Sequence, residues 1–526
     1  MTVSPLRLVD TAEEVVDDPG RRRLILAAMC LALVAVVASV SALNVAQQAL
    51  AVDLGASQSE ILWVINGYTL TLAALLMPVG AIGDRWGRKP VLVTGLLVFA
   101  GFNGASAFAT SPELLIALRV GAGVGAAMIM PVTLSIITTT FPVEERARAV
   151  GAWAGFAGAG GIIGLFASAA IIDNFTWPWV FAVPIGLAAG SLVLTLAFVP
   201  HSREHIEAGF DFAGTILSIL AVGGLVLAIQ EGPERGWTDT LTLCAFAIGG
   251  AALAAFVAVE LHREHPLLDV GLFRDRSLTT GSVNLFVVFA LMFSLFLVVV
   301  QFLQAVLGYT ALKAAAGVVP MALLMMPLSV VAPALAERYG FRRTLGAGMT
   351  LLAAGFAAFA VLADPDGGYL SALPGLAIIA IGVGLSMSPS TTAITSALPV
   401  EKQGVASALN DTVREMGGAV GIALLGSILN ATYRSSIEPT TAALPPEIAQ
   451  PVESGIGGAI AVTARLGARS EALLEQARLA FMDGLAVAMW VGAGLALATV
   501  ALTLVWAPRR TAPAAPPPDL DATVRH

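Results

Sequence analysis

Apolar residues fill the chain in long runs broken by short polar interruptions, and their spacing predicts fourteen membrane-crossing helices. Runs of about 20 residues, the length that crosses a ~30 Å hydrocarbon core, lie near 24–46, 61–81, 91–109, 114–140, 149–172, 179–199, 212–230, 241–261, 278–303, 316–336, 344–363, 372–393, 404–430 and 481–507. The first six make one unit, 24–199. A linker, 200–277, holds two more, and the last six occupy 278–507. The polar loop His201 to Asp211 closes the first unit, and the segment His262 to Ser277 opens the last. Ahead of the first helix, Glu13, Glu14, Asp17 and Asp18 precede Arg21-Arg22-Arg23 in a tail, 1–23. The proline-rich tail 508–526 is expected to lack order. The single long interruption, 431–480, carries Pro439, Pro445, Pro446 and Pro451 and then a helix-compatible run, Ser470 to Leu479. It reads as a lid, a partner surface or a passive connector. An even number of crossings puts both ends on one side.

Composition agrees with this pattern. The 526 residues are 57% hydrophobic and 12% charged, with mean hydropathy +0.85, which is the signature of an all-α polytopic membrane protein. The net charge of −8 matters less than its distribution. By this segmentation 20 of the 28 Lys and Arg fall on one side, 6 on the other and 2 within helices. The crowded side is expected to be the cytoplasm, with both ends there. The first apolar run is long enough to span, so the N-terminus reads as an anchored helix with no cleaved signal. Cys30 and Cys244 lie in apolar runs and suggest neither a disulfide nor a metal site. No phosphate-binding Walker loop, metal-ligand cluster or hydrolytic triad is present, so no enzyme activity, cofactor or nucleic-acid partner is expected. Only three lysines, with abundant Ala, Gly and Val, point to a GC-rich bacterial source.

One charged knot interrupts the apolar pattern: Gly80-Ala-Ile-Gly-Asp84-Arg85-Trp-Gly87-Arg88-Lys89. Each such charge costs roughly 2.5–3.5 kcal/mol at the centre of a bilayer, so the knot is expected to be a tight loop at a membrane surface. Gly80 lets helices approach, Gly87 permits a reversal with positive φ, and Arg85, Arg88 and Lys89 hold the loop on the cytoplasmic side. Asp84 can bind the loop cations or a helix N-terminus of the other unit. A degraded copy, Pro333-Ala-Leu-Ala-Glu337-Arg338-Tyr-Gly340-Phe-Arg342-Arg343, follows in the second half. Pro142-Val-Glu-Glu-Arg is likewise answered by Pro399-Val-Glu-Lys-Gln, and Gly123-Val-Gly125 by Gly382-Val-Gly384.

These residues resemble the signature between the second and third helices of the major facilitator superfamily. The fourteen spans resemble its drug:proton antiporter branch, the multidrug and quaternary-ammonium exporters, over roughly 24–507. The resemblance implies two six-helix bundles related by a pseudo-twofold axis, with an inserted helix pair, facing each other across a central cavity that opens to each side by turns. It makes Asp84 and its echo Glu337, with Arg338, the stabilisers of the state open to the outside. In the fourth span, Leu115-Ile-Ala-Leu-Arg119 matches the family's intramembrane arginine, which the family links to proton coupling; an arginine snorkelling to the surface is the alternative. The fifth span keeps the small-residue face Gly160 and Gly164 of the antiporter signature, but Leu165 stands where that signature has proline. Ser39 stands where the branch has an aspartate five residues before Asn44.

The thirteenth span offers a substitute. Asp411 and Glu415 are four apart on one helix face, and Arg414 is three from Asp411. One carboxylate can pair with the arginine while the other carries a proton. Counting back from Asn430 puts Asp411 near the edge of the hydrocarbon, where it could simply be wet, and Glu415 a turn deeper. For a substrate, Asn44, Trp63, Asn66, Tyr68, Met128, Met130, Asn284, Phe293, Gln301, Gln304, Met325 and Met326 lie in spans expected to line the centre, although each alone is more often ordinary packing. Met and aromatic side chains repack around varied ligands. The expectation is a monomeric inner-membrane carrier exporting hydrophobic or cationic compounds in exchange for protons. The alternatives are a lipid or metabolite exporter with an extracytoplasmic partner on 431–480, an uncoupled facilitator, or a transport-dead sensor or scaffold.

Overall fold

The computed structural model describes residues 15–172, 174–200, 210–466 and 470–509. Most of the N-terminal tail, most of the 201–211 loop and nearly all of the C-terminal tail lie outside them. Sixteen α-helices and no strand occur among the described residues. The first bundle comprises α1 (Pro19–Leu54), α2 (Gln58–Trp86), α3 (Arg88–Ser106), α4 (Pro112–Thr140), α5 (Val143–Ile172) and α6 (Ala182–Phe198). The inserted pair is α7 (Phe212–Arg235) and α8 (Thr240–Glu260). The second bundle holds α9 (Arg276–Gln301), α10 (Ala311–Tyr339), α11 (Phe341–Leu362), α12 (Gly368–Ser396), α13 (Gln403–Thr441) and α16 (Glu471–Trp506). Two short helices, α14 (Pro446–Glu453) and α15 (Ile456–Leu466), lie between the last two.

Local chemistry starts these helices. Ser57 and Glu60 form a reciprocal capping box on α2, and Asp18, Ser111, Asp211, Asp239 and Asp275 accept from backbone N–H groups in the first turns of α1, α4, α7, α8 and α9. Among the described residues, thirteen helices are long and apolar enough to cross a membrane. The fourteenth, α3, has Arg88 and Lys89 in its first turn, which lowers its hydropathy, but it packs between α4 and α6 inside the first bundle. Helices outlast the apolar runs that announce them. α13 has 39 residues, about 59 Å at ~1.5 Å per residue, roughly twice the hydrocarbon thickness. The interruption expected at 431–480 is therefore mostly helical: α13 runs on to Thr441, α16 begins at Glu471, and α14 and α15 fold between them. Tyr433 Oη donates to Val452 O at 2.8 Å and Arg478 Nε to Ala305 O at 3.4 Å. These bonds seat the cap on its own bundle.

The two bundles repeat one packing plan. α1 packs on α5 and α6, α2 on α4, and α3 on α4 and α6; α9 packs on α13 and α16, α10 on α12, and α11 on α12 and α16. The seam between bundles repeats it as well, since α2 meets α13 and α10 meets α5. This is pseudo-twofold symmetry read from the packing. The Gly-Val-Gly echo does not share register: Gly123 abuts Tyr68 and Thr71 of α2, whereas Gly382 abuts Leu352 of α11. Within the first bundle, α5 lies against α1 at Gly160 and Gly164, where a Cβ on Gly164 would stand 2.5 Å from Ala38 Cα. Gly164→Leu should therefore cost about 1–3 kcal/mol by overpacking, read as a lower thermal midpoint of the purified protein, with Gly160→Ala milder because its nearest neighbour is a side chain at 3.3 Å.

Candidate transport site

The charged knot folds as a one-residue turn. α2 runs through Trp86, Gly87 takes φ 108°, and α3 starts at Arg88. Asp84, 1% exposed, sends its carboxylate across the seam. There it accepts from the N–H groups of Gly404 at 2.8 Å and Val405 at 3.1 Å, in the first turn of α13, and from Arg88 Nη2 at 3.2 Å. Free N–H groups and the positive end of the helix dipole make that turn an anion site. Gly80 makes room for it, since a Cβ there would stand 2.5 Å from Gly404 O. Lys89 Nζ donates to Val199 O at 2.7 Å and Leu196 O at 3.2 Å, capping the C-terminus of α6. Arg85 is partly exposed. In the echo, Gly340 takes φ 97° and Arg342 Nε caps α16 at Ala507 O, as Lys89 caps α6. Glu337 departs from the expectation: it and Arg338 are exposed, and Glu337 has no hydrogen bond or ion pair among the described residues. The first turn of α5, its symmetry-related target, carries Glu144 and Glu145, whereas the first turn of α13 carries no acid. Glu144 there opposes a further carboxylate, while Glu145 pairs with Arg22 at 2.9 Å. The face bearing these turns, the basic face, is closed at α2–α13 and also at α5–α10, where Gly151 abuts the backbone of Ser329.

Arg119 is fully buried and does not snorkel. Its Nη1 donates to Ser39 Oγ at 2.8 Å and Asn103 Oδ1 at 3.3 Å, with longer contacts from Nε to Val64 O and from Nη2 to Ser39 O, both 3.4 Å. The guanidinium lies 4.2 Å from the centre of the Tyr68 ring. No carboxylate pairs with it among the described residues, so hydroxyl, amide and carbonyl dipoles and a π face hold the charge. Ser39→Asp should supply the missing anion. We expect a higher thermal midpoint, about 1.5–3 kcal/mol from a charge-assisted bond, lost again in the Ser39→Asp, Arg119→Met double variant.

On α13, Asp411 is fully buried and accepts from Arg414 Nη1 at 3.0 Å and Asn410 Nδ2 at 3.2 Å. It is not wet, as a count from Asn430 allows. The Arg414 guanidinium also lies 4.5 Å from the Phe289 ring and 5.3 Å from the ring of Trp153, which belongs to the first bundle. Glu415 differs from its neighbour. It is partly exposed and has no hydrogen bond or ion pair among the described residues. It begins the fourth turn of α13, about 18 Å along the axis at ~1.5 Å per residue, near the middle of a ~30 Å core. There it comes within electrostatic reach of Tyr68, the ring that Arg119 lies against.

The residues expected to line a substrate path are not gathered into one place. Tyr68 is fully buried with its Oη donating to Val36 O at 3.0 Å, and Asn284 is fully buried with Nδ2 on Thr280 O and Thr503 Oγ1, both at 2.9 Å. Both are spent within their own bundles. Met128 packs against Gly95 between α3 and α4, while Met325 crosses the seam to Gly158. Phe293 packs edge to face on Phe289 and against Gly418. Gln304 is exposed in a π turn, Phe302–Val306, that ends α9, and Gln301 lies just before it. Trp63 and Asn66 are partly exposed on α2; the side chain of Asn44 is outside the described set. Sequence reasoning passed over Trp153 and the Ser39–Asn103 pair. The second had a signal: a buried arginine without its usual acid must find neutral acceptors on the helices beside it.

Two repeated helical bundles, meeting at a seam that holds buried charge, define a multi-pass membrane transporter. Residues 27–422 match the model of the Major Facilitator Superfamily, and the chain belongs to that family. It is 33% identical to the multidrug efflux pump LfrA of Mycolicibacterium smegmatis over 486 residues, 92% of this chain and 96% of that protein. It is 30% identical to the methyl viologen resistance protein SmvA of Salmonella typhimurium, over 89% of this chain and 95% of that one. Among solved structures, a bacterial homolog of the human lysosomal transporter Spinster superposes with TM-score 0.59 at 16% identity, covering 94% of this chain and 100% of that one; this likeness is one of fold.

Proposed function

We propose that the protein is a proton-coupled exporter of hydrophobic or cationic compounds, working by alternating access in a bacterial inner membrane, with its basic face toward the cytoplasm. The observation that carries this reading is Glu415: a carboxylate on a partly exposed residue, with no hydrogen bond or ion pair among the described residues, near mid-membrane on the seam between bundles. A group so placed can take a proton from one side and give it to the other as the seam opens alternately. In its anionic form it attracts a cation, so proton and cationic substrate compete for one carboxylate, and that competition is antiport. The relatives named for multidrug efflux and methyl viologen resistance support the substrate class, methyl viologen being an organic dication. Buried Arg119, held by neutral groups among the described residues, supplies a fixed positive charge behind Tyr68. We assign Asp411 and Arg414 to structure: they pair with each other and leave Glu415 without a hydrogen bond or ion pair among the described residues.

Reconstitution into proteoliposomes with an imposed pH gradient, ethidium as the lipophilic cation and a pH dye inside, tests the proposal. Adding ethidium is expected to release protons in proportion to ethidium moved. Ethidium transport indifferent to the gradient would leave an uncoupled facilitator, and no transport of ethidium or of methyl viologen would remove the assignment to drug export.

A further inference from the structure

The inserted pair α7–α8 sits astride the seam, because α7 packs against α2 of the first bundle and α13 of the second. Its attachment to α2 includes a bond from Gln230 Nε2 to Thr69 Oγ1 at 3.0 Å. At the basic face the pair ends in two buried carboxyls, Asp211, which caps α7, and Glu260, the last residue of α8. Both are spent on the loop that leads to α9. Glu260 accepts from Leu268 N–H at 3.1 Å, and Asp211 accepts from Leu267 N–H at 3.3 Å, from its cap partner Gly214 N–H at 2.8 Å and from Arg263 Nη1 at 3.0 Å. Gly214 leaves room for the two acids: a Cβ there would fall 2.7 Å from Asp211 Oδ2 and closer still to Glu260 Oε1. The two acids converge on this one glycine, and Arg263 offsets the charge on Asp211. Burying two carboxyls is costly, which a passive connector does not require. The loop they shape presents Pro266 O to Lys402 Nζ at 3.0 Å. Lys402 ends the short 3₁₀ turn Val400–Lys402 directly before α13, so it lies two residues from the Gly404 N–H gripped by Asp84. The two contacts share the walls of one cavity, of about 220 Å³, lined by Asp84, Arg85, Asp211, Pro266, Glu401 and Lys402 among others.

We propose that the inserted pair is a second latch on the closed basic face: Asp211 and Glu260 hold the 261–269 loop in shape, and the loop holds the N-terminus of α13 through Pro266 and Lys402. Asp84 grips α13 directly from α2, and the inserted pair grips it from outside the bundle. Both grips must release for that face to open.

The test rests on alternating access but not on the identity of any transported compound. Spin labels on cysteines replacing Val143 and Tyr339, exposed residues at the basic-face ends of α5 and α10, with Cys30→Ala and Cys244→Ser as background, report the distance between bundles in liposomes. Lys402→Ala and Asp211→Ala are each expected to raise the long-distance, basic-face-open population severalfold with Asp84 intact, and to add to the effect of Asp84→Asn. Glu260→Gln should stay close to the parent, since its amide oxygen can still accept from Leu268 N–H, whereas Glu260→Leu should match Asp211→Ala. Lys402→Ala guards against misfolding, because it removes only a partly exposed side chain on the far side of the contact. Unchanged distances in Lys402→Ala, with the expected shift in Asp84→Asn, would overturn the second latch while leaving the transport reading untouched.

Discussion

Replacing Glu415 by glutamine is expected to abolish pH-driven accumulation and to weaken binding of a cationic substrate, while a neutral hydrophobic substrate still equilibrates down its own gradient. The amide keeps the size of the side chain and removes its proton. A pH difference of one unit is worth about 1.4 kcal/mol per proton exchanged, which supports roughly a tenfold substrate gradient; without a titrating group that factor falls to one. Because Glu415 has no partner among the described residues, its substitution orphans no buried charge, and the thermal midpoint should hold. Asp411→Asn is the contrasting control. It strips the buried Arg414 guanidinium of its 3.0 Å counter-ion, and breaking a buried pair costs about 3–5 kcal/mol, so a loss of stability should accompany any loss of transport. Gradient-driven accumulation that survives Glu415→Gln would move coupling to another group.

The helices were legible because hydrocarbon demands long apolar runs, and the boundaries were less so because the helix does not stop where the hydrocarbon does. Residues 431–441 are too polar to read as part of a span, yet α13 continues through them and Tyr433 ties them to the cap. Asp84 was legible from a motif whose chemistry is local: an anion, a turn glycine and three cations at a helix end. Its echo misled, since Glu337 repeats the form but not the circumstance. The answering turn on α5 is acidic, a fact visible in Glu144 and Glu145 once the pseudo-symmetry says where to look. The acids of α13 were found as a cluster, but their division of labour was not. A spacing of three and four places side chains on one face; it does not say which carboxylate faces Trp153 and Arg414 and which faces Tyr68. Two of the polar residues expected at the substrate path, Tyr68 and Asn284, are held inside their own bundles for a general reason. In a membrane interior a Tyr or Asn must satisfy its own donors, and Tyr68 and Asn284 do so on Val36, Thr280 and Thr503.

Gly404→Leu is expected to prevent closure of the basic face altogether. A Cβ at this position would stand 2.6 Å from Asp84 Oδ1 and closer still to Gly80 O. Backbone cannot yield as the end of a side chain can, so α2 and α13 must part, and the two N–H bonds to Asp84 at 2.8 and 3.1 Å go with them. Each bond to a charged acceptor is worth about 1.5–3 kcal/mol, enough to move the ratio of closed to open molecules by roughly ten- to a hundredfold per bond lost. Asp84→Asn should fall between parent and Gly404→Leu, because its amide oxygen still accepts one N–H but without charge. Distances between labels at residues 143 and 339 should lengthen in that order, and transport should decline in the same order. A carrier held open on one side still binds its substrate but cannot return, so binding of ethidium should survive in Gly404→Leu while its translocation stops. If that variant instead closes with parent-like distances, the glycine contact between α2 and α13 does not set the conformational balance, and the α5–α10 side of the seam must carry it.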